Sequence, residues 1–395
     1  MSNSADPRRI YFDNAATSWP KPEAVYAAVE QYQRTLGAPA GRSGYAEAVV
    51  VSQAVEDVRR RVARLVGLQD STHLVFTANG TDSLNLAIHG LLRRGNHVVT
   101  TVIEHNSVLR PLECLQRDGV ITVTRVPCDS TGYVDPESVR AAIRPNTRLV
   151  AVSHASNVTG ARQPIEAIAA VAHAAGVLVL CDAAQTAGHT TLDMPALGAD
   201  LLAASGHKGL LGPLGTGILA ISPQVASQLH SVRQGGTGTR SEETSQPDEL
   251  PSKFESGNLN VPGILGLGAG IEFLESQGLD LLAGQTLALT KRLLAGLSEI
   301  PGVRILGPPA VTERVPLVSI MIEGYDPQEV AVALDAVHRI QVRPGLHCAP
   351  AMHRSLQTHT QGGTVRFSLG VFNLPEHIET TIRAVAEVAA SRIAI

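Results

Sequence analysis

Short apolar runs alternate with longer amphipathic stretches through the first half of the chain. The apolar runs predict six buried strands, at residues 73–77, 97–101, 121–126, 148–153, 177–181 and 201–204. The stretches between them have helical spacing, most clearly at residues 83–92, 136–143 and 165–175. Strands that alternate with helices indicate an α/β fold with a mostly parallel sheet. Ligands bind such sheets beyond the carboxyl ends of the strands, so polar residues at those ends are the first candidates for a functional site.

The pattern changes in the second half of the chain. Residues 238–256 are polar and lack periodicity, which is typical of a functional or disordered loop. A long helical pattern follows at residues 281–297, and short strand patterns such as 315–322 come after it. These changes predict two domains: a large one at residues 12–268, and a smaller α/β domain made of residues 1–11 and 269–395.

Composition and charge exclude several classes of protein. Hydrophobic residues make up 44% and charged residues 17% of the 395 residues, which excludes disorder driven by charge. The net charge of -4 argues against non-specific binding to nucleic acid or to anionic membranes. The start of the chain has no apolar core, and the most apolar stretch, 167–181, is short and interrupted, so we expect a cytoplasmic protein.

The four cysteines are Cys114, Cys128, Cys181 and Cys348, and they form no CxxC pair. This spacing predicts free thiols, and it argues against a disulfide framework or a cysteine-rich zinc site. Most free cysteines are buried and inert, and the first three fit that description.

Two charged residues follow predicted strands. Asp182 closes the run VLVLCD, and Lys208 follows LLAAS within the glycine-rich segment SGHKGLLGPLGTG. Taken singly, a helix-capping acid explains Asp182 equally well, and a lone lysine is usually only surface charge. Taken together, they match a pyridoxal phosphate (PLP) site, in which a lysine of lowered pKa forms a Schiff base and an aspartate pairs with the ring nitrogen.

The other polar residues at strand ends fit such a site. Gly80 and Thr81 lie in the turn between the strand predicted at 73–77 and the helix predicted from residue 83, where backbone N–H groups at a helix start bind anions. Ser205 and His207 adjoin Lys208 and are candidates to complete a phosphate site. His105 is a candidate for stacking on the ring or for proton transfer. Asn157 and Gln185 are candidates for a hydrogen bond to a ring oxygen.

Cys348 stands apart from the other cysteines. It lies in the segment RPGLHCAPAMH, where glycine and prolines predict a loop and neighbouring cations favour a reactive thiol. A metal site of Cys348, His347 and His353 matches no trusted zinc spacing, so we expect no metal. Arg366, on a predicted strand of the same domain, has the chemistry to bind a carboxylate through two hydrogen bonds, or to make a surface salt bridge.

The order of these motifs resembles a known family. The segments DNAATSWPKP, ANGT, EHNS, CDAAQ, SGHKG, FESGNLNVPGILGLGAG and RPGLHCAP together resemble the class V aminotransferases of PLP fold-type I, from about Tyr11 to Asn373. Within that family they are most similar to the cysteine desulfurase and selenocysteine lyase branch. The resemblance implies a large domain with a mostly parallel seven-stranded sheet flanked by helices, and a smaller α/β carboxyl-terminal domain.

The resemblance also implies a role for each residue. Lys208 carries PLP, and the other cofactor-binding residues are Asp182, Gln185, His105, Gly80, Thr81, Ser205, His207 and, across a homodimer interface, Asn258. Relatives commonly have threonine where this chain has Asn258, whose amide can still donate a hydrogen bond. The substrate-binding residues are Asn157, Arg366 and Arg343. The catalytic residues are Lys208, His105 and Cys348, which takes sulfur from the substrate as a persulfide.

The implied reaction converts L-cysteine to L-alanine. The short RxGxHC loop resembles enzymes that often need a separate sulfur-acceptor protein or prefer selenocysteine. The alternatives are a selenocysteine lyase, and a cysteine or cystine C–S lyase that works by β-elimination and has no need of Cys348. A transaminase has no use for this cysteine, and a non-catalytic protein of the same fold has no need of Lys208 and Asp182.

Overall fold

The computed structural model describes residues 9–41, 43–240 and 242–393. The strands of these ranges are β1 (Ile10–Tyr11), β2 (Leu74–Thr77), β3 (Asn96–Thr101), β4 (Ile121–Val126), β5 (Thr147–Ser153), β6 (Leu178–Asp182), β7 (Leu201–Ser205), β8 (Gly217–Ile221), β9 (Val303–Leu306), β10 (Leu317–Ile322), β11 (Ile340–Gln341), β12 (Arg343–Gly345) and β13 (Thr364–Ser368). The helices are α1 (Glu23–Gln31), α2 (Ala46–Leu65), α3 (Gly80–Leu91), α4 (Asn106–Arg117), α5 (Pro136–Ala142), α6 (Ile165–His173), α7 (Met194–Leu197), α8 (Pro223–Ala226), α9 (Val261–Gln277), α10 (Leu279–Ser298), α11 (Pro327–His338), α12 (Pro350–Ser355) and α13 (Pro375–Ile393).

The larger sheet has seven strands in the order β2-β8-β7-β6-β5-β3-β4. The strands from β7 to β4 pair in parallel, and β8 runs antiparallel to both of its neighbours. The seven-stranded, mostly parallel sheet is therefore confirmed. The six predicted strands all form, but the sequence patterns did not identify β8, whose short apolar run GILAI follows the glycine-rich loop.

Both faces of this sheet are covered. Alternate residues of β5 enter two different hydrophobic clusters, Val150 and Val152 on one face and Leu149 and Ala151 on the other. A strand buried on both faces is a continuous apolar run rather than an alternating one, which is the pattern that predicted it. Polar side chains of these strands are therefore concentrated at the strand ends.

Helix α3 begins earlier than its periodicity predicts. The predicted start was residue 83, whereas the helix begins at Gly80. The reason is a cap: the side-chain oxygen of Asn79 accepts a hydrogen bond from the backbone N–H of Asp82, at 2.9 Å. The first turn of the helix, which includes Thr81, thus lies at the carboxyl edge of the sheet. Backbone N–H groups in a first turn have no partner within the helix.

A second, antiparallel sheet has the order β12-β13-β10-β9, and β1 pairs in parallel with β11. Its own hydrophobic cluster joins β10 and β13 to α10, α11 and α13. The predicted division into residues 12–268 and the remainder stays a prediction, and its boundary at 268 falls inside the continuous helix α9. Residues 1–8 and 394–395, assigned to the small domain, lie outside the described residues.

No helix in the described ranges has the length and hydropathy needed to cross a membrane.

A buried ion pair fixes the polar segment before α9. The Arg59 guanidinium of α2 binds the Glu255 carboxylate through two contacts, of 2.6 and 2.9 Å. The same guanidinium donates to the Leu74 carbonyl at 2.7 Å, and Glu255 accepts the Phe76 N–H at 2.7 Å. Helix α2, strand β2 and the end of the 238–256 segment are therefore held at one point.

We expect Arg59→Met to lower the free energy of unfolding by about 3–5 kcal/mol, because it leaves the buried Glu255 carboxylate without its cation. The matched control is Arg34→Met, which removes an exposed pair with Glu30 and should cost at most about 1 kcal/mol. Urea unfolding followed by circular dichroism measures both. Equal losses in the two variants would contradict this account.

Candidate active site

A cavity of about 420 Å³ lies at the carboxyl ends of the parallel strands. Strands β5, β6 and β7 end in Ser153, Asp182 and Ser205, and all three residues line the cavity. Arg343 and Arg366, from the antiparallel sheet, also line it. The cavity is therefore bounded by one sheet's strand ends and by two cations of the other sheet.

Lys208 and Asp182 are the charged pair in the part of the cavity formed by the larger sheet. Asp182 is buried, accepts a hydrogen bond from the Ala184 N–H at 2.9 Å, and has a pKa raised by burial. Burial lowers the pKa of the Lys208 amine to about 8, while the negative charge of Asp182 opposes that shift. Near neutral pH a much larger fraction of this amine than of an ordinary lysine is therefore in the uncharged, nucleophilic form.

The two glycines nearest Lys208 have no room for a side chain. A Cβ at Gly206 would lie 2.3 Å from Thr216 Oγ1, and a Cβ at Gly209 would lie 2.3 Å from the Ala187 carbonyl oxygen. Glycine at these positions lets the loop pack closely against its neighbours. The position of Lys208 is therefore set by tight backbone packing.

The segment near the start of the chain also fixes this loop. The His207 carbonyl accepts hydrogen bonds from the Ser18 N–H at 3.0 Å, the Thr17 hydroxyl at 3.1 Å and the Lys21 ammonium at 2.8 Å. The Ser18 hydroxyl donates to the Lys208 carbonyl at 2.8 Å. Residues of the DNAATSWPKP motif thus hold the backbone of the lysine loop in place.

The start of α3 forms a cradle suited to an anion. A Cβ at Gly80 would lie 2.6 Å from Ser205 Oγ, so only glycine leaves this space open. The Thr81 hydroxyl contacts the Ser107 hydroxyl at 2.7 Å, and the buried Nδ1 of His207 has no hydrogen-bond partner among the described residues. Helix N–H groups, hydroxyls and a free ring nitrogen are the donors that bind phosphate.

His105 is neutral at physiological pH. Burial and the nearby Lys208 charge lower its pKa to about 4. Its Nδ1 accepts the Ser107 N–H at 3.1 Å and lies 2.8 Å from the Ser107 hydroxyl, so the ring proton is on Nε2. Sequence reasoning missed Ser107, although it belongs to the quoted EHNS motif.

A second buried carboxyl group adjoins Asp182. Glu104 is fully buried and accepts the Thr101 and Ser153 hydroxyls at 2.6 Å each. Burial raises the pKa of Glu104 to about 7, and the charge of Asp182 adds to that shift. Glu104 also escaped prediction, because its local sequence does not show that the Ser153 hydroxyl, 49 residues away, joins the Thr101 hydroxyl on it.

The two arginines differ in their partners. The buried Arg366 donates from Nη2 to Asp13 at 2.8 Å and from Nη1 to the Asn157 carbonyl at 3.1 Å, and its Nε has no partner among the described residues. Arg343 stands opposite Arg366 in the β12–β13 register. Its Nη2 lies 3.4 Å from Cys348 Sγ. Arg366 therefore has a hydrogen-bond donor left for an anion, and Arg343 contacts the Cys348 thiol.

The structure brings together eleven of the thirteen predicted site residues as lining of one cavity: Lys208, Asp182, Gln185, His105, Gly80, Thr81, Ser205, His207, Asn157, Arg366 and Arg343. The Gln185 amide donates to the Ala15 carbonyl at 3.2 Å. Within the described ranges, Cys348 is absent from the lining and reaches the cavity through Arg343. Asn258 is exposed and lies outside the cavity, in a separate depression beside Arg233.

The histidines near Cys348 are engaged elsewhere. His347 Nε2 pairs with Thr364 at 2.8 Å, and His353 Nδ1 pairs with Thr358 at 2.7 Å. No group of three or more potential metal ligands occurs in the described part of the chain.

Comparison with known proteins gives a consistent set of matches. Residues 10–380 match the family described as aminotransferase class-V. A probable cysteine desulfurase of Methanothermobacter thermautotrophicus is 37% identical over 96% of this chain and 94% of its own length. A probable cysteine desulfurase of Pyrococcus abyssi is 34% identical over 97% and 94%. The solved apo structure of a Thermococcus onnurineus cysteine desulfurase superimposes with a TM-score of 0.91 at 34% identity, covering 97% of this chain and 95% of that one. The Escherichia coli cysteine desulfurase CsdA gives 0.87 at 28% identity, with the same coverage.

The lowered pKa of Lys208 predicts how its reactivity depends on pH. Only the free amine reacts with aldehydes, so reductive methylation of Lys208 in the cofactor-free protein should rise with pH to a midpoint of about 8. Asp182→Asn removes the anion that raises this pKa and should move the midpoint down. Arg343→Met removes a cation that lowers it and should move the midpoint up. Mass spectrometry of the Lys208 peptide measures the rates, and shifts of the same sign in both variants would contradict the assignment.

Proposed function

The chain belongs to the aminotransferase class-V family, and we propose that it is a PLP-dependent cysteine desulfurase, which converts L-cysteine to L-alanine and transfers the sulfur to Cys348. The relatives and solved structures named above support the activity. The observation that carries the proposal is the position of Cys348 Sγ, 3.4 Å from an arginine that lines the same cavity as Lys208 and Asp182. A thiol at the rim of the cavity that holds the reactive amine is what sulfur removal needs and what transamination does not.

The residues present fit PLP. The cradle at Gly80, which a Cβ would fill, and the unpartnered His207 Nδ1 suit its phosphate. The buried Asp182 suits its ring nitrogen, and the Gln185 amide suits its ring hydroxyl. The amine of Lys208 would hold the cofactor covalently. When bound, PLP supplies an electron sink for the α-carbon of the substrate.

The substrate carboxylate is bound by Arg366, Asn157 and Arg343. Arg366 is buried and retains an unpartnered Nε, and the Asn157 side chain is buried at the cavity wall. Arginine binds carboxylates through paired hydrogen bonds, so this cluster also orients the substrate. The β-carbon and its sulfur are thereby directed toward the Cys348 side of the cavity.

Lys208 and His105 handle protons. With a pKa of about 8, the amine of Lys208 can both accept the α-proton and return it near neutral pH. His105 is neutral, and its proton on Nε2 makes it a hydrogen-bond donor rather than a cation in the cavity. It therefore stacks or donates without adding positive charge beside Lys208.

Cys348 takes the sulfur. Its thiolate attacks the substrate sulfur, a sulfur–sulfur bond forms, and the bond from the β-carbon to sulfur breaks. The β-carbon keeps the electron pair of that bond and is protonated, which leaves alanine. Arg343 Nη2 donates toward Sγ and orients it for the attack. The persulfide then passes to a reductant or to a sulfur-acceptor protein.

We also propose a homodimer in the cytoplasm. Asn258 is exposed and lies outside the cavity of its own chain, so a contact with a PLP phosphate would have to be made in another copy. This position supports the role that the family resemblance implies for it.

The product assay that tests this function compares Cys348→Ala with the native enzyme on L-cysteine and a thiol reductant. We expect alanine and sulfide from the native enzyme, and alanine formation lower by on the order of 10³-fold in the variant, because the nucleophile is lost. Cys114→Ala, which changes a half-buried cysteine of α4 that does not line the cavity, is the matched control and should keep full activity. Pyruvate and sulfide that persist in Cys348→Ala would instead identify a β-eliminating lyase. Activity on selenocysteine alone would identify a selenocysteine lyase.

A further inference from the structure

The loop that carries Cys348 is fastened by hydrogen bonds from distant parts of the chain. The His347 carbonyl accepts from the Asn157 side-chain amide at 2.6 Å, and the Cys348 carbonyl accepts from the Asn106 N–H at 2.7 Å. The His347 ring is held by Thr364 at 2.8 Å. Two of these contacts fix the backbone directly before and at the reactive cysteine, and the third fixes the side chain of His347.

The backbone at this point adopts a conformation that it would leave if released. His347 has a φ of 48° and Cys348 a φ of 58°, so two successive residues with a Cβ are left-handed. Such a pair is unfavourable and persists only where surrounding contacts impose it. Loss of one fastening contact therefore favours a different loop position.

Asn157 belongs to both the loop and the substrate site. Its side chain lines the cavity and is only 6% exposed, while its amide holds the His347 carbonyl. Its own carbonyl accepts from Arg366 Nη1 at 3.1 Å, so it lies directly beside the guanidinium that binds the carboxylate. A hydrogen bond to a carboxylate is roughly twice as strong as one to a neutral carbonyl. A carboxylate on Arg366 would thus compete effectively for the Asn157 amide.

We propose that Asn157 is a positioning residue that couples substrate binding to release of the Cys348 loop: the substrate carboxylate takes the Asn157 amide from the His347 carbonyl and frees the cysteine to reach the substrate sulfur. This inference rests on the proposed function, in which Asn157 and Arg366 bind the carboxylate. Without substrate the thiol is kept outside the cavity lining, beside Arg343. Sulfur attack is thereby restricted to the state in which a carboxylate is present.

Alkylation of Cys348 by iodoacetamide in the PLP-loaded enzyme tests the coupling without turnover. L-alanine and L-alaninamide are the matched probes, because both carry the same amine and methyl group and only alanine carries a carboxylate. Rates are read from the Cys348 peptide by mass spectrometry, at the plateau of rate against pH, so that they report access to the thiol. We expect alanine to accelerate alkylation about 2- to 10-fold, the range that one hydrogen bond can shift, and alaninamide to leave it unchanged.

Two variants separate coupling from simple loosening of the loop. Asn157→Asp keeps the shape but loses the donor, so alkylation should be fast without ligand and should not respond to alanine. Thr364→Val loosens the loop through His347 but keeps Asn157, so its faster alkylation should still increase with alanine.

Equal effects of alanine and alaninamide, or a normal alanine response in Asn157→Asp, would overturn the proposal. Failure of the proposed function is a separate result, since it appears as absence of alanine from L-cysteine and does not depend on alkylation rates.

Discussion

The burial of the Lys208 amine beside the Asp182 carboxylate is the constraint on which the site depends. Burial disfavours the charged form of each group, and their mutual attraction offsets only part of that cost. Arg343 and Arg366, on the opposite side, push the pKa of Lys208 further down. The result is an amine that titrates near neutral pH and an anion held ready for a cationic ring nitrogen.

The two sheets divide the chemistry between them. The strand ends of the larger sheet present the groups that suit the cofactor, and β12 and β13 present the cations that suit a substrate carboxylate. Cys348 lies in the loop that follows β12. Asn157, in the turn that follows β5, joins the two halves, because its backbone carbonyl accepts from Arg366 and its side-chain amide donates to the loop. Carboxylate binding and the position of the sulfur-accepting loop are therefore linked through one residue.

The sequence was most informative where one buried strand ends in one polar residue. Asp182 and Lys208 were predicted on that basis, and they line one cavity. Contacts between distant segments were not predictable: Asp13 and Arg366 are 353 residues apart, and no spacing rule joins them. Strand β8 was missed because its run GILAI begins at a glycine directly after a glycine-rich loop, and no local pattern shows that it pairs between β2 and β7. The similarity of motifs to a known family, rather than a local pattern, predicted that Cys348 acts in the same site as Lys208 and Asp182.

The central claim is that sulfur passes through Cys348, and a single-turnover experiment tests it most directly. The PLP-loaded enzyme is mixed with less than one equivalent of L-cysteine without reductant. The protein is then digested, and the mass of the peptide that contains Cys348 is measured. The account predicts one added sulfur atom on Cys348 for each alanine formed. Full conversion of cysteine with an unmodified Cys348, and pyruvate in place of alanine, would contradict it.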